Sequence, residues 1–133
     1  MKIAIGYRIV IGPWGGGNRF VIALRDCLLS QGHDVVFDLN DSDIDIILLT
    51  DPRSRIPNVS ISAGMILRYL LFVNRKCIVI HRVNECDERK KTRTMNRRLI
   101  LANYAADYTV FVGSWLKKIE IWKNKSDQNS TVI

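Results

Sequence analysis

Apolar positions along this chain follow two alternating rhythms. Lys2–Gly6, Asp34–Leu39, Ile44–Thr50, Lys76–His81 and Tyr108–Val112 are short runs dominated by aliphatic residues, and Ser130–Ile133 opens a sixth. Such runs predict strands, those apolar throughout being buried on both faces of a parallel sheet. Between them lie stretches with helical spacing. In the helix predicted from about Asn18 to Gln31, Phe20, Ala23, Leu24, Cys27 and Leu28 make one apolar stripe. Gly32 stands where a C-terminal cap belongs. Ser62–Asn74 is apolar on most sides and predicts a buried helix. Thr92–Ala106 places Met95, Leu99, Ala102 and Ala106 on one stripe, and Ser114–Trp122 reads as a short helix capped by Ser114.

Tyr7–Gly17, Asn40–Asp43, Asp51–Pro57, Arg82–Lys91 and Lys123–Asn129 read as loops or turns. Strands alternating with helices predict a Rossmann-like three-layer α/β/α domain with a mostly parallel sheet. Ligands of such sheets bind beyond the carboxyl ends of the strands. Two loops at those ends are chemically loaded: Tyr7–Gly17 after the first strand and His81–Lys91 after the fourth.

Composition narrows the picture. The 133 residues suit one domain, and 47% hydrophobic against 25% charged residues is ordinary globular usage. The net charge of +7 points to anionic partners without choosing among nucleic acid, phosphorylated ligands and membrane surfaces. Cys27, Cys77 and Cys86 are odd in number and widely spaced, which indicates neither a zinc site nor a disulfide framework and fits a reducing, cytoplasmic setting. Arg8 interrupts the N-terminal apolar run, so that run predicts a strand and not a signal peptide. The apolar stretch Gly64–Val73 contains Arg68 and has about half the length of a membrane span.

Three clusters can carry chemistry. Gly15-Gly16-Gly17 precedes a helix; it suits either an anion site of free backbone N–H groups or a plain flexible turn. Asn18-Arg19 follows instead of the Lys-Ser/Thr of a phosphate-binding Walker loop, and the run sits too far past the strand for a dinucleotide fingerprint, although Asp38 is suggestively spaced. Trp14, inside the same loop, can pack against a sugar or anchor the loop. His81 is expected to end its strand and face the cleft, as proton carrier or hydrogen-bond donor, or else to be a strand-end histidine bonded to backbone. Five charged residues follow it within eight positions. Among them and beside them Arg82, Asn84, Glu85 and Asp87 suit sugar hydroxyls, or an ion-pair network within the loop. Arg93, Arg97 and Arg98 lie on the predicted Thr92–Ala106 helix, Arg93 and Arg97 on one face; they can contact phosphate or anionic lipid, or be solvated. The three tryptophans are too scattered for a stacking platform, and no nucleic-acid motif is present.

Together, Ile11-Gly-Pro-Trp-Gly-Gly-Gly-Asn18-Arg-Phe20, Gln31-Gly-His-Asp-Val35, Ile80-His-Arg-Val-Asn-Glu-Cys-Asp-Glu-Arg-Lys90, Ala105-Ala-Asp-Tyr-Thr-Val-Phe-Val112 and Ser114-Trp115-Leu116 resemble the N-terminal half of family 4 glycosyltransferases. These are retaining enzymes of GT-B fold. The resemblance implies two Rossmann-like halves around a cleft, with this half holding the acceptor, a saccharide or lipid-linked glycan. It implies that Gly15, Gly16 and Gly17 approach the diphosphate of a nucleotide-sugar, with Asn18, Arg82, Asn84, Glu85 and Asp87 on the substrate side. It implies that His81 lies beside the reacting sugar, with no metal and no cofactor.

The donor-binding half that such enzymes carry has no counterpart in these 133 residues, and Val132-Ile133 reads as a strand just begun. The expectation is therefore a fragment, a truncated product or one subunit of a split enzyme, needing a separate donor-domain chain. The alternative expectation is a non-catalytic module of such an enzyme that binds a partner or sits peripherally at the inner face of a membrane.

Overall fold

The computed structural model describes residues 1–12, 15–53 and 56–133; Trp14 lies outside the described residues. Six strands form one all-parallel sheet: β1 (Lys2–Ile5), β2 (Asp34–Val36), β3 (Ile46–Leu49), β4 (Ile78–Val83), β5 (Tyr108–Phe111) and β6 (Ser130–Val132). Their order is β2-β1-β3-β4-β5-β6. The chain steps outward from β1 to β2, then resumes on the other side at β3. Right-handed crossovers therefore send α1 (Gly16–Ser30) to one face, and α2 (Ala63–Phe72) and α4 (Met95–Asn103) to the other. This is the doubly wound α/β class that the alternation of strands and helices predicts.

The larger core lies under α2 and α4, where Ala4, Ile47, Leu49, Ile66, Tyr69, Val79 and Ala102 are buried together. It continues into Val83, Leu99, Phe111 and Trp122, the last two rings meeting edge to face at 5.5 Å. Among the described residues the opposite face is covered by α1, over a smaller core of Ile3, Ile5, Val21 and Leu48. Beside it Phe20, Leu24 and Leu28 form one wall of an apolar groove over Ile80, Val110 and Ile133.

That asymmetry explains a departure from the predicted stripe on α1. Val21 faces the sheet, whereas Ala23 and Cys27 are exposed, because among the described residues no second helix packs beside α1. The helix ends as Gly32 predicts. Gly32 takes φ +78°, its N–H donates to Leu29 O, and the N–H of His33 donates to Leu28 O, the paired bonds of a Schellman cap.

Other boundaries depart from expectation: β2 stops at Val36, three residues short of Leu39, and α4 starts at Met95 instead of Thr92. β4 runs two residues past His81 because its partner β5 continues to Phe111. The supposed loop beyond it contains α3 (Asp87–Lys90), capped by the Cys86 sulfur, which accepts the N–H of Arg89. α5 spans only Ser114–Lys117 with Gly113 at its cap, since extended backbone at Ile119 stops the helix before a separate 3-10 turn at Glu120–Trp122.

Candidate functional site: a crevice at the sheet's switch point

β1 and β3 are neighbours whose connections leave in opposite directions, and ligand crevices of doubly wound sheets open at such a point. The first residue beyond β1 is Gly6. A Cβ there would lie 3.0 Å from Leu48 O and 3.3 Å from the Ile61 side chain, tighter than ordinary contact, so glycine eases the close passage of the loop across β3. Thr50, just beyond β3, donates its hydroxyl to Gly6 O at 2.8 Å and ties the two strand ends together. Further along, the Asn18 side chain is buried and pairs with the Val10 peptide in both directions. It accepts the Val10 N–H at 2.9 Å and donates to Val10 O at 2.8 Å. Asn18 therefore pins the loop instead of offering its amide to a ligand, which corrects its expected place among the substrate contacts.

Gly15 caps α1, and Gly16 and Gly17 form its first turn, so the helix begins two residues earlier than its periodicity predicts. The leading N–H groups of a helix have no carbonyl of their own to bond. Neither Gly15 nor Gly16 is in the left-handed region, and a Cβ at either would meet nothing within 4 Å. The fold itself makes no demand for glycine at these two positions.

β4 supplies the opposite wall. Its side chains alternate, so His81 and Arg82 point to opposite faces of the sheet. Arg82 turns toward α1 and lies over the Phe20 ring, with Cζ 4.0 Å from the centroid. Burial lowers its pKa from the usual arginine value, and its Nε, also buried, has no hydrogen-bond partner among the described residues. Arg82 and Asn84 line a small cavity of about 40 Å³ with Tyr7, Gly17, Phe20 and Asp51. The Asp51 carboxylate is held by Arg53 through bonds of 2.9 and 2.6 Å.

His81 is not at the strand end and does not face this crevice. It is 0% exposed on the α4 side of the sheet. Its Nδ1 lies 3.0 Å from Nδ2 of Asn103, which also donates to Thr109 and whose carbonyl oxygen accepts from Lys125. An amide nitrogen only donates, so Nδ1 accepts and the proton sits on Nε2, which has no partner among the described residues. Burial, with Lys125 nearby, lowers its pKa to about 4. The ring is neutral at pH 7, and the position expected beside the reacting sugar is sealed beneath the sheet.

The remaining expected residues scatter. Glu85 is half-buried, within 3.4 Å of both Arg89 and Lys90, a loop ion pair that competes with any ligand. The Asp87 carboxylate accepts the N–H groups of Met95 at 2.8 Å and Asn96 at 3.0 Å and the Thr92 hydroxyl, and so caps α4. Desolvation raises its pKa, but these bonds outweigh it and the net shift is downward. Asp87 is thus corrected from sugar contact to helix cap. Because α4 starts only at Met95, Arg93 precedes the helix and shares no helical face with Arg97; Arg97 and Arg98 are exposed on it.

Of the residues singled out in the sequence, Gly17, Arg82 and Asn84 meet in one crevice. Tyr7, Phe20 and Asp51 were missed there, although Asp51 and Arg53 just past an apolar strand were a usable signal. No group of three His, Cys, Asp or Glu is placed to hold a metal, and no helix is long and apolar enough to cross a membrane, among the described residues. Comparison with protein-family models, with curated proteins and with solved structures found no match in any of the three.

Proposed function

We propose that this chain is the acceptor-side half of a GT-B glycosyltransferase, which works with a donor-side half to move a hexose from a nucleotide-sugar to a saccharide or lipid-linked glycan, with retention. The observation that carries the reading is the convergence of the glycine turn at the start of α1 with Arg82 and Asn84 at the end of β4, at one rim of the sheet. Free N–H groups and a desolvated guanidinium favour negative charge, the charge a leaving diphosphate develops. Asn84 offers both a donor and acceptors to a sugar hydroxyl. The chemistry needs no cofactor and no metal on this reading. Its setting is the cytoplasm, in keeping with three free cysteines.

In this reading Arg82 and Asn84 replace His81 as the residues that touch substrate, and His81 holds the sheet behind them. A titration of the chain against a panel of glycans and nucleotide-hexoses, followed by calorimetry, tests it. Binding of a glycan or nucleotide-sugar that weakens at least tenfold in both Arg82→Met and Asn84→Ala supports the proposal. Absence of binding across the panel, or binding indifferent to both substitutions, removes it.

A further inference from the structure

The outer surface of α2 is apolar where a helix on the rim of a sheet is ordinarily polar. Ile66 and Tyr69 face the core. On the opposite side Met65, Leu67, Leu71 and Phe72 stand in solvent, Leu71 at 58% and Phe72 at 80% exposure. Side by side with α2, α4 carries Leu101 and Tyr104, the latter 81% exposed; the two helices share one core beneath them, through Ile66, Tyr69 and Ala102.

The charge carried by the two helices has one sign. Residues 52–84 contain no Asp or Glu, and neither do residues 89–106, so every charge within α2 and α4 themselves is a cation. Arg68 lies within the apolar face of α2, Arg75 and Lys76 follow its end, and Arg97 and Arg98 are exposed on α4. The carboxylates nearest in the chain are engaged: Arg53 holds Asp51 at 2.9 and 2.6 Å, Asp87 accepts the N–H of Met95 at 2.8 Å, Glu88 accepts from Asn96 at 3.1 Å, and Asp107 accepts the N–H of Val79 at 2.8 Å.

We propose that α2, assisted by α4, docks this chain on an anionic phospholipid surface. A helix with an apolar face ringed by cations lies in the interface plane, with its apolar side chains below the headgroups and its cations among them. Ten residues of helix are about 15 Å long, enough to lie on a bilayer and too short to span one. The cations of both helices, with Arg68 inside the apolar face itself and Arg75 and Lys76 at its end, complement an anionic headgroup layer, and that favours lipid over a protein partner. The inference is independent of the glycosyltransferase reading and stands or falls without it.

Co-sedimentation of the whole chain with vesicles tests it, using phosphatidylcholine alone and phosphatidylcholine with about 30% phosphatidylglycerol, a proportion on the order of that in anionic leaflets. The expected result is binding to the anionic vesicles only. It weakens about fivefold for each of Arg68→Gln and Arg97→Gln and falls further at high salt. The triple substitution Leu67→Ser, Leu71→Ser, Phe72→Ser should abolish it while leaving the circular dichroism melt in place, since all three side chains are exposed. The indole added by Phe72→Trp should be quenched by brominated lipid. Failure to bind anionic vesicles, binding unchanged in the triple variant, or no added quenching in the Phe72→Trp variant each overturns the proposal. So does a concentration-dependent dimer that the triple variant disperses, which would make the patch a protein interface.

Discussion

The guanidinium of Arg82 lies over the ring of Phe20, 4.0 Å from its centroid, and joins the end of β4 to α1. Phe20 lies just past the first turn of α1, so this contact crosses the crevice and holds a cation in the cavity that Gly17 lines. A desolvated cation–π pair is worth about 2 kcal/mol, and an exposed one about half that or less. Phe20→Leu should therefore cost about 1 kcal/mol in urea unfolding and also weaken ligand binding. Arg82→Met retains the stem over the ring and should cost less stability, yet lose at least tenfold in affinity, since a hydrogen bond to a charged group is worth about 1.5–3 kcal/mol. Equal effects of the two on both measurements would assign Arg82 to packing alone.

Gly16→Ala should separate fold from function. Nothing crowds a Cβ there, and alanine is favoured over glycine in a helix by roughly 0.5–1 kcal/mol. Thermal unfolding should show equal or higher stability. If the turn receives a diphosphate, ligand affinity should fall because the methyl occupies the approach. A stable variant with undiminished binding would leave Gly16 without a ligand role.

Asp87→Ala should lower stability through loss of the α4 cap, seen as a lower Tm, and leave ligand binding unchanged. A binding defect as large as that of Arg82→Met would return Asp87 to the substrate side.

His81 makes stability pH-dependent. Its folded pKa is depressed to about 4 by burial, against 6.5 for the free side chain. Above pH 6.5 both folded and unfolded states are neutral and nothing changes. Below it the unfolded state takes a proton that the folded state refuses, so stability falls between about pH 6.5 and 4, by as much as about 3 kcal/mol. Urea titrations at about pH 7.5 and 4.5 should show this slope in the native chain and its loss in His81→Leu. Glu88 and Asp87, whose pKa values are lowered from 4.5 and 3.8, begin to lose their contributions as pH falls past those values, at the acid end of this window. A native slope that survives in His81→Leu would place its origin elsewhere.

The strands and long helices were legible because apolar runs and helical stripes report burial directly, and Gly32 marked the end of α1 without ambiguity. What the sequence obscured was direction. His81 and Arg82 are adjacent in the chain, but strand alternation sends one to the core and the other to the crevice, and reading the His81–Lys91 stretch as one loop erased that difference. α3 was invisible because four residues of helix rest on the Cys86 sulfur and its packing, not on periodicity. The start of α4, and with it the fate of Arg93, depends on an Asp87 carboxylate eight residues before Met95. Exposure of Ala23 and Cys27 follows from how many helices cover each face, a property of topology that no single stripe encodes.

The convergence of glycine turn and β4 end is tested most directly by residue-resolved NMR titration of the chain with a nucleotide-hexose and with any glycan it binds. The account predicts shift changes at Gly15, Gly16, Gly17, Arg82 and Asn84 together, at one saturating concentration, and their joint loss in Arg82→Met. Changes confined to other faces of the sheet, or changes at the glycine turn that leave Arg82 and Asn84 undisturbed, would contradict it.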